Sequence, residues 1–184
     1  MTQDDLPTFS PLVLQCGTHA VVRPIRSGDA AWLAKGLMRL SSENRVRRFL
    51  YDKTAYSEAE LCRFTKVDEA HHVALVLAVL DQQGRESDVV AVARCFRAPE
   101  DPTLAEVAVA TVDEWQGQGI GTVLIRSLAE YAWAVGIRRW QAVCFSENRA
   151  IRKLLNLVGT EESERQIGDG VCEAFYQLHP PPNT

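Results

Sequence analysis

Residues 112–122 read Val-Asp-Glu-Trp-Gln-Gly-Gln-Gly-Ile-Gly-Thr and carry the clearest chemistry in the chain. The stretch lies between an apolar run, residues 104–112, and a long amphipathic run, residues 119–135. A glycine-rich strand-to-helix connection leaves several backbone N–H groups without an intrahelical acceptor. The helix dipole adds partial positive charge at the same end. Together they form a site for an anion, most naturally a phosphate or pyrophosphate. Glycine lets the backbone approach such a ligand with no Cβ in between. The Walker A pattern requires Gly-Lys-Ser/Thr, whereas Gly121 is followed directly by Thr122. The dinucleotide fingerprint Gly-x-Gly-x-x-Gly would place its third glycine at position 122, which is Thr122. Nucleotide hydrolases and Rossmann dinucleotide binders are therefore disfavoured. The pattern that fits is Gln/Arg-x-x-Gly-x-Gly/Ala, as Gln116, Gly119 and Gly121.

The elements that must position this loop follow from periodicity and turn residues. Residues 19–25 read as a strand, with Pro24 placing it towards an edge. Gly28 and Asp29 open a helix with Leu33 and Leu37 at helical spacing. Ser41 or Ser42 caps a second short helix, and Ser57 with Glu60 forms a capping box for a third. The apolar run 73–80 suits a strand covered on both faces. Residues 89–96 and 104–112 read as further strands, with a turn at 81–84. The helix over 119–135 is amphipathic and stops at Gly136. A strand over 138–145, a helix over 148–158 and a final hairpin, 160–167 and 171–178 around Gly-Asp-Gly, complete the domain. Residues 1–14 read as a flexible lead-in, 15–179 as a single domain and 180–184 as a frayed Pro-rich tail.

The chain has 184 residues, 46% hydrophobic and 24% charged, as befits one globular domain able to bury its own core. With 20 basic and 24 acidic residues its net charge is -4, which suits cationic partners and disfavours nucleic acid. No apolar run is long enough for a membrane span, and residues 1–6 lack the basic start of a signal peptide. The cysteines at 16, 62, 95, 144 and 172 are scattered, without a Cys-x-x-Cys pair, so neither a disulfide framework nor a metal cluster is expected. A cytoplasmic location follows as the expectation.

The chain resembles the GCN5-related N-acetyltransferases over residues 19–178. Three stretches carry the resemblance: Arg23-Pro24-Ile25-Arg26 with Asp29, the loop from Gln116 to Gly121, and Glu147-Asn148-Arg149-Ala150 leading to Leu157-Val158-Gly159. The stretch from Leu40 to Phe49 and Ala105-Glu106-Val107-Ala108-Val109 are similar, more narrowly, to bacterial protein-lysine acetyltransferases. Those enzymes often carry a regulatory cyclic-nucleotide module; the expectation here is that no such control operates, because the chain has no room for one. The resemblance implies an α/β fold: a mixed, mostly antiparallel sheet of about six to seven strands, with two splayed parallel central strands and flanking helices.

It also implies acetyl-CoA as co-substrate and no metal. The pantetheine arm would lie between strands 104–112 and 138–145, on the backbone of Val109, Ala110 and Thr111. The pyrophosphate would sit on the N–H groups of Gln116, Gly117, Gln118, Gly119, Ile120, Gly121 and Thr122. Asn148 would meet the pantetheine amides. Glu106 becomes the candidate general base. A lysine-type amine titrates near about 10.4 and must lose a proton before it attacks. The acceptor would be an amine, with protein lysine preferred; a small-molecule amine, or a CoA-binding sensor without turnover, are the alternatives. The protein would act as monomer or homodimer. Many relatives place a Tyr seven residues after this Asn as acid for the thiolate; here that position is Leu155.

Plainer readings stand beside these. Glu106 could be a solvated strand residue or an arginine partner. Arg45, Arg47 and Arg48 are either anion ligands or a solvated helix face. Glu43 reads equally as a cap for its own helix, and Arg152 and Lys153 as surface charges rather than ligands of the CoA 3′-phosphate. His71 and His72 read as structural, Trp115 and Trp140 as packing residues, and Cys144 as an unlikely acyl carrier with nothing local to form a thiolate.

Overall fold

The most apolar run becomes the centre of the sheet. In the computed structural model, which describes residues 11–68 and 70–181, β3 (His72–Leu80) is buried at every position but its last. A strand covered on both faces needs such a continuous apolar run. Eight strands form one sheet in the order β1-β2-β3-β4-β5-β6-β8-β7. They are β1 (Pro11–Val13), β2 (His19–Pro24), β3, β4 (Glu86–Arg97), β5 (Leu104–Thr111), β6 (Arg139–Phe145), β7 (Gly159–Gly168) and β8 (Val171–Leu178). All neighbouring pairs are antiparallel except β5 and β6.

The helices are α1 (Ala30–Met38), α2 (Ser42–Phe49), α3 (Glu58–Thr65), α4 (Ile120–Ala134) and α5 (Arg149–Leu155). α4 buries Leu124, Ile125, Leu128 and Ala132 on the larger core, beside Trp140 and Tyr176. On the opposite face a smaller cluster joins Ile25, Val76 and Val89 with Trp32 of α1. The caps follow from sequence: Ser41 Oγ accepts from Asn44 N–H at 3.3 Å, and Ser57 and Glu60 form a reciprocal box. Gly136, at φ 89°, ends α4, and the Gly168–Gly170 turn closes the β7–β8 hairpin.

Three expectations change. The sheet has eight strands rather than six to seven, because Pro11–Val13 pairs with Val21–His19. The lead-in expected over 1–14 thus contains an edge strand, while residues 1–10, like 182–184 of the tail, lie outside the described residues. β4 extends back to Glu86, and α5 ends at Leu155, with Leu157 and Val158 in a following turn.

Arg23 forks between Asp29 at 2.7 Å and Glu86 at 2.6 Å, so the Arg-Pro-Ile-Arg stretch serves structure, tying β2 to the start of α1 and to β4. His72 is 6% exposed and stacks on Phe96 at 4.0 Å between ring centroids. Burial, and then the Arg94 charge, hold its pKa down at about 4, against the opposing pull of Asp68. The folded state therefore disfavours the imidazolium, and the unfolded chain takes up the proton first as pH falls. Stability should fall by up to about 3 kcal/mol as pH drops from about 6.5 through 4. Thermal melting across that window checks this; His72→Gln should flatten the slope there.

Candidate active site

β5 and β6 begin as a parallel pair and then part. Only Leu104, Ala105 and Glu106 find partners, in Arg139, Trp140 and Gln141. Beyond that point β5 stays hydrogen-bonded to β4 and β6 to β8. The inner edges of Val107–Thr111 and Ala142–Phe145 are left without a strand partner in each other. The gap opens into a cavity of about 680 Å³. Val109, Ala110 and Thr111 line one wall, and Ala142, Val143 and Cys144 the other. Small side chains on both walls leave a slot able to take an extended chain bearing amide groups.

The glycine loop closes one end. Gly117 (φ 76°) and Gly119 (φ 78°) both adopt the left-handed backbone that favours glycine. The first intrahelical bond runs from Val123 N–H to Gly119 O, so the N–H groups of Ile120, Gly121 and Thr122 have no acceptor within α4. Gln116, Gly117, Gly119, Ile120, Gly121 and Thr122 all line the cavity; Gln118 does not. The Gln116 side chain braces the loop, its Nε2 donating to Thr111 O at 3.1 Å and Asp113 Oδ1 at 3.2 Å.

Asp113 joins this loop to α2. Its Oδ2 accepts from Ser41 N–H at 2.9 Å and its Oδ1 from Asn44 Nδ2 at 2.8 Å. These hydrogen bonds hold its carboxyl below the usual range against the opposing effect of burial. Arg39 adds a second tie, pairing with Asp88 at 2.7 Å and Glu114 at 2.6 Å. Asp113→Ala should cost about 1–2 kcal/mol of stability and weaken CoA binding several-fold. Chemical denaturation and calorimetric titration with CoA check the two effects separately.

Glu106 is the last paired residue before the fork, and its exposed side chain lines the cavity. No ion pair engages it among the described residues, which leaves its carboxylate open to an incoming group. Gln141 beside it donates to Glu173, whose other oxygen accepts from Arg165 at 2.5 Å. Asn148 also lines the cavity; its Oδ1 caps α5 by accepting from Ile151 N–H at 3.3 Å, and this points its role partly towards the fold. An anion cradle, a slot between parted parallel strands and a carboxylate at the fork together suit an acyl thioester of a phosphorylated carrier and an attacking amine.

Comparison with known proteins gives the family. Residues 38–159 match the Acetyltransferase (GNAT) family. The chain belongs to the GNAT acetyltransferases. "Acetyltransferase Pat" of Mycolicibacterium smegmatis is 32% identical over 158 residues, 86% of this chain but 46% of that protein. "Acetyltransferase PA5475" of Pseudomonas aeruginosa is 32% identical over 147 residues, 79% of this chain and 77% of its own length. The chain thus spans about half of the former and most of the latter. Among solved structures, the GNAT domain of S. lividans PAT superposes with a TM-score of 0.78 at 27% identity, covering 97% of this chain and 99% of that one. A Salmonella typhimurium acetyltransferase, solved with acetyl-CoA, shares the fold at a TM-score of 0.65 and 19% identity. The chain thus has the mixed sheet of the GNAT fold, with one parallel pair that parts.

Other GNAT expectations resolve residue by residue. Arg152 pairs with Glu161 and Glu164 on β7, so it braces α5 rather than meeting the cofactor, whereas Lys153 lines the cavity. Leu155 is buried in the core, and no tyrosine among the described residues lines this cavity. Cys144 lines the slot, and burial first and then the neighbouring Cys172 push its thiol up to about 12. Glu43 pairs with Arg47 at 2.6 Å. Trp140 is buried in the core, and Trp115 lines the cavity from the loop. Sequence reasoning missed the wall built by Leu40, Asn44, Phe49 and Leu50 around α2. The available signal was the Leu40–Phe49 stretch itself, read for resemblance but not for position. Among the described residues no helix is long and apolar enough to cross a membrane, and no cluster of three or more acidic, His or Cys groups could hold a metal.

Proposed function

We propose that this chain transfers the acetyl group of acetyl-CoA to an amine, with protein lysine as the acceptor. The observation that carries the reading is the position of Glu106 at the fork of β5 and β6, on the wall of a slot that ends at the glycine loop. Pyrophosphate would rest on the N–H groups of 117–122, and the pantetheine arm would run along Val109–Thr111. Asn148 retains its amide nitrogen for a pantetheine carbonyl.

The amine nitrogen forms a bond to the thioester carbonyl carbon, its proton passing to the Glu106 carboxylate directly or through one water. A free backbone N–H on the unpaired edge of β5 can hold the oxyanion. The C–S bond then breaks and the sulfur departs as thiolate. Leu155 stands where many relatives carry the tyrosine acid, and unassisted departure is allowed by a thiol pKa near about 8.5. The exposed, open setting of Glu106 suits a lysine projecting from a protein surface, and the relative named Pat accords with it.

Labelled acetyl-CoA incubated with a cell extract, followed by separation by size, tests this reading. Label in protein, lost with Glu106→Gln, supports it. Label confined to small molecules would assign a metabolite amine instead, and none above background would leave a CoA-binding sensor.

A further inference from the structure

The α2 arginines, alike in sequence, part ways in the structure. Arg45 pairs with Asp52 at 2.5 Å and Arg47 with Glu43 at 2.6 Å. Arg48 has no hydrogen bond or ion pair among the described residues; its guanidinium lies over the Phe49 ring at 4.8 Å. It faces a second arginine, Arg94 of β4, which is 3% exposed. Arg94 gives one nitrogen, Nη1, to Phe64 O at 3.1 Å and stacks over the Phe64 ring at 4.6 Å. The same nitrogen lies 3.5 Å from His72 Nε2. No carboxylate pairs with either guanidinium among the described residues.

Both arginines line a recess of about 40 Å³, with Tyr56, Phe49, Phe64 and Ala110. That volume holds roughly three water-sized spheres, which is the scale of a carboxylate with an adjoining methylene. The recess is not separate from the slot: Leu40, Arg48, Phe49 and Ala110 line both. Burial, and then the Arg48 charge, pull Arg94 down to about 9, and desolvation lowers Arg48 as well. The nearby acidic groups offset this little: Glu106 acts on Arg48 from the slot side, and Tyr56 is itself raised, mainly by burial. Two guanidinia lining one recess, Arg94 buried and Arg48 half-buried, repel each other unless an anion joins them. An arginine fork matches a carboxylate in geometry as well as charge.

We infer that Arg48 and Arg94 form a carboxylate subsite beside the thioester end of the slot, for a carboxylate carried by one of the two reactants. The carrier is either the acyl group, as in a dicarboxylic acyl-CoA, or the acceptor. The inference rests on the acyltransferase reading above and adds a substrate class to it.

Two arms identify the carrier. In the first, calorimetric titration compares succinyl-CoA, acetyl-CoA and CoA on the full chain, with no turnover required. In the second, transfer from acetyl-CoA is compared between Nα-acetyl-lysine and N-acetylcadaverine, which differ by one carboxylate. A preference of about tenfold for the carboxylate-bearing partner is expected in one arm, from charge-assisted hydrogen bonds. Arg48→Met and Arg94→Met should each reduce that preference to about one, and Arg94→Lys should restore part of it. Circular dichroism confirms that each variant is folded, and Arg48→Met carries the test if the buried Arg94 variants are not. Equal affinity and equal rates in both arms, or a preference that survives Arg48→Met, would overturn the inference. Failure to bind CoA at all would instead overturn the acyltransferase reading.

Discussion

Glu106→Gln should lower kcat/KM for acetyl transfer by about 10²–10⁴-fold and leave acetyl-CoA affinity within about twofold. The substitution keeps size and hydrogen-bonding reach but removes the group that accepts the proton. Glu106 sits at the fork rather than on the glycine loop, so the cradle and the slot walls are undisturbed. Its exposed position also means that no core packing is lost, and Tm should stay within a few degrees. The loss should shrink as pH rises, because an amine titrating near about 10.4 then arrives increasingly deprotonated. A merely structural glutamate would show no such dependence. Steady-state kinetics from pH 7 to 10, with calorimetric titration of acetyl-CoA, measure both halves.

Gly119→Ala should weaken CoA binding by about 10–100-fold, the second large effect. At φ 78° an added Cβ costs about 1–2 kcal/mol of backbone strain, and it would stand 3.4 Å from Gln15 Nε2. Relief of that strain turns the peptide and moves the N–H groups that open α4, each worth about 1.5–3 kcal/mol against a charged ligand. Gly84, at φ 74° in the β3–β4 turn, provides the comparison, since it has the same backbone strain far from the slot. Gly84→Ala should lower Tm comparably and leave CoA affinity unchanged. Calorimetric titration and thermal melting of the two variants separate strain from ligand contact.

Local chemistry made much of this legible in the sequence. The Ser57–Glu60 box, the Gly136 stop and the Gly-Asp-Gly hairpin are each set by residues a few positions apart. The glycine loop was readable for the same reason: its anion site is made of consecutive backbone groups. What escaped depends on tertiary register. β1 is three residues long and contains Pro11, too short for any alternation to show. The tie from Asp113 to Ser41 and Asn44 has no local signal, since it exists only once α2 is docked beside the loop. Arg152 reads as a plain surface charge because its partners, Glu161 and Glu164, lie on another element. Arg48 and Arg94 come to one recess only once α2 packs against β5 and β6, and adjacency in sequence to Arg45 and Arg47 disguised the difference. The position of Glu106 on a strand was legible, but its place at the parting of β5 and β6 was not, because nothing local signals where a parallel pair ends.

The crystal structure of the complex with acetyl-CoA tests the central claim most directly. Pyrophosphate should lie on the N–H groups of 117–122, pantetheine between Val107–Thr111 and Ala142–Cys144, and the thioester carbon within one water of the Glu106 carboxylate. A cofactor bound outside the fork, or a thioester turned away from Glu106, would contradict it.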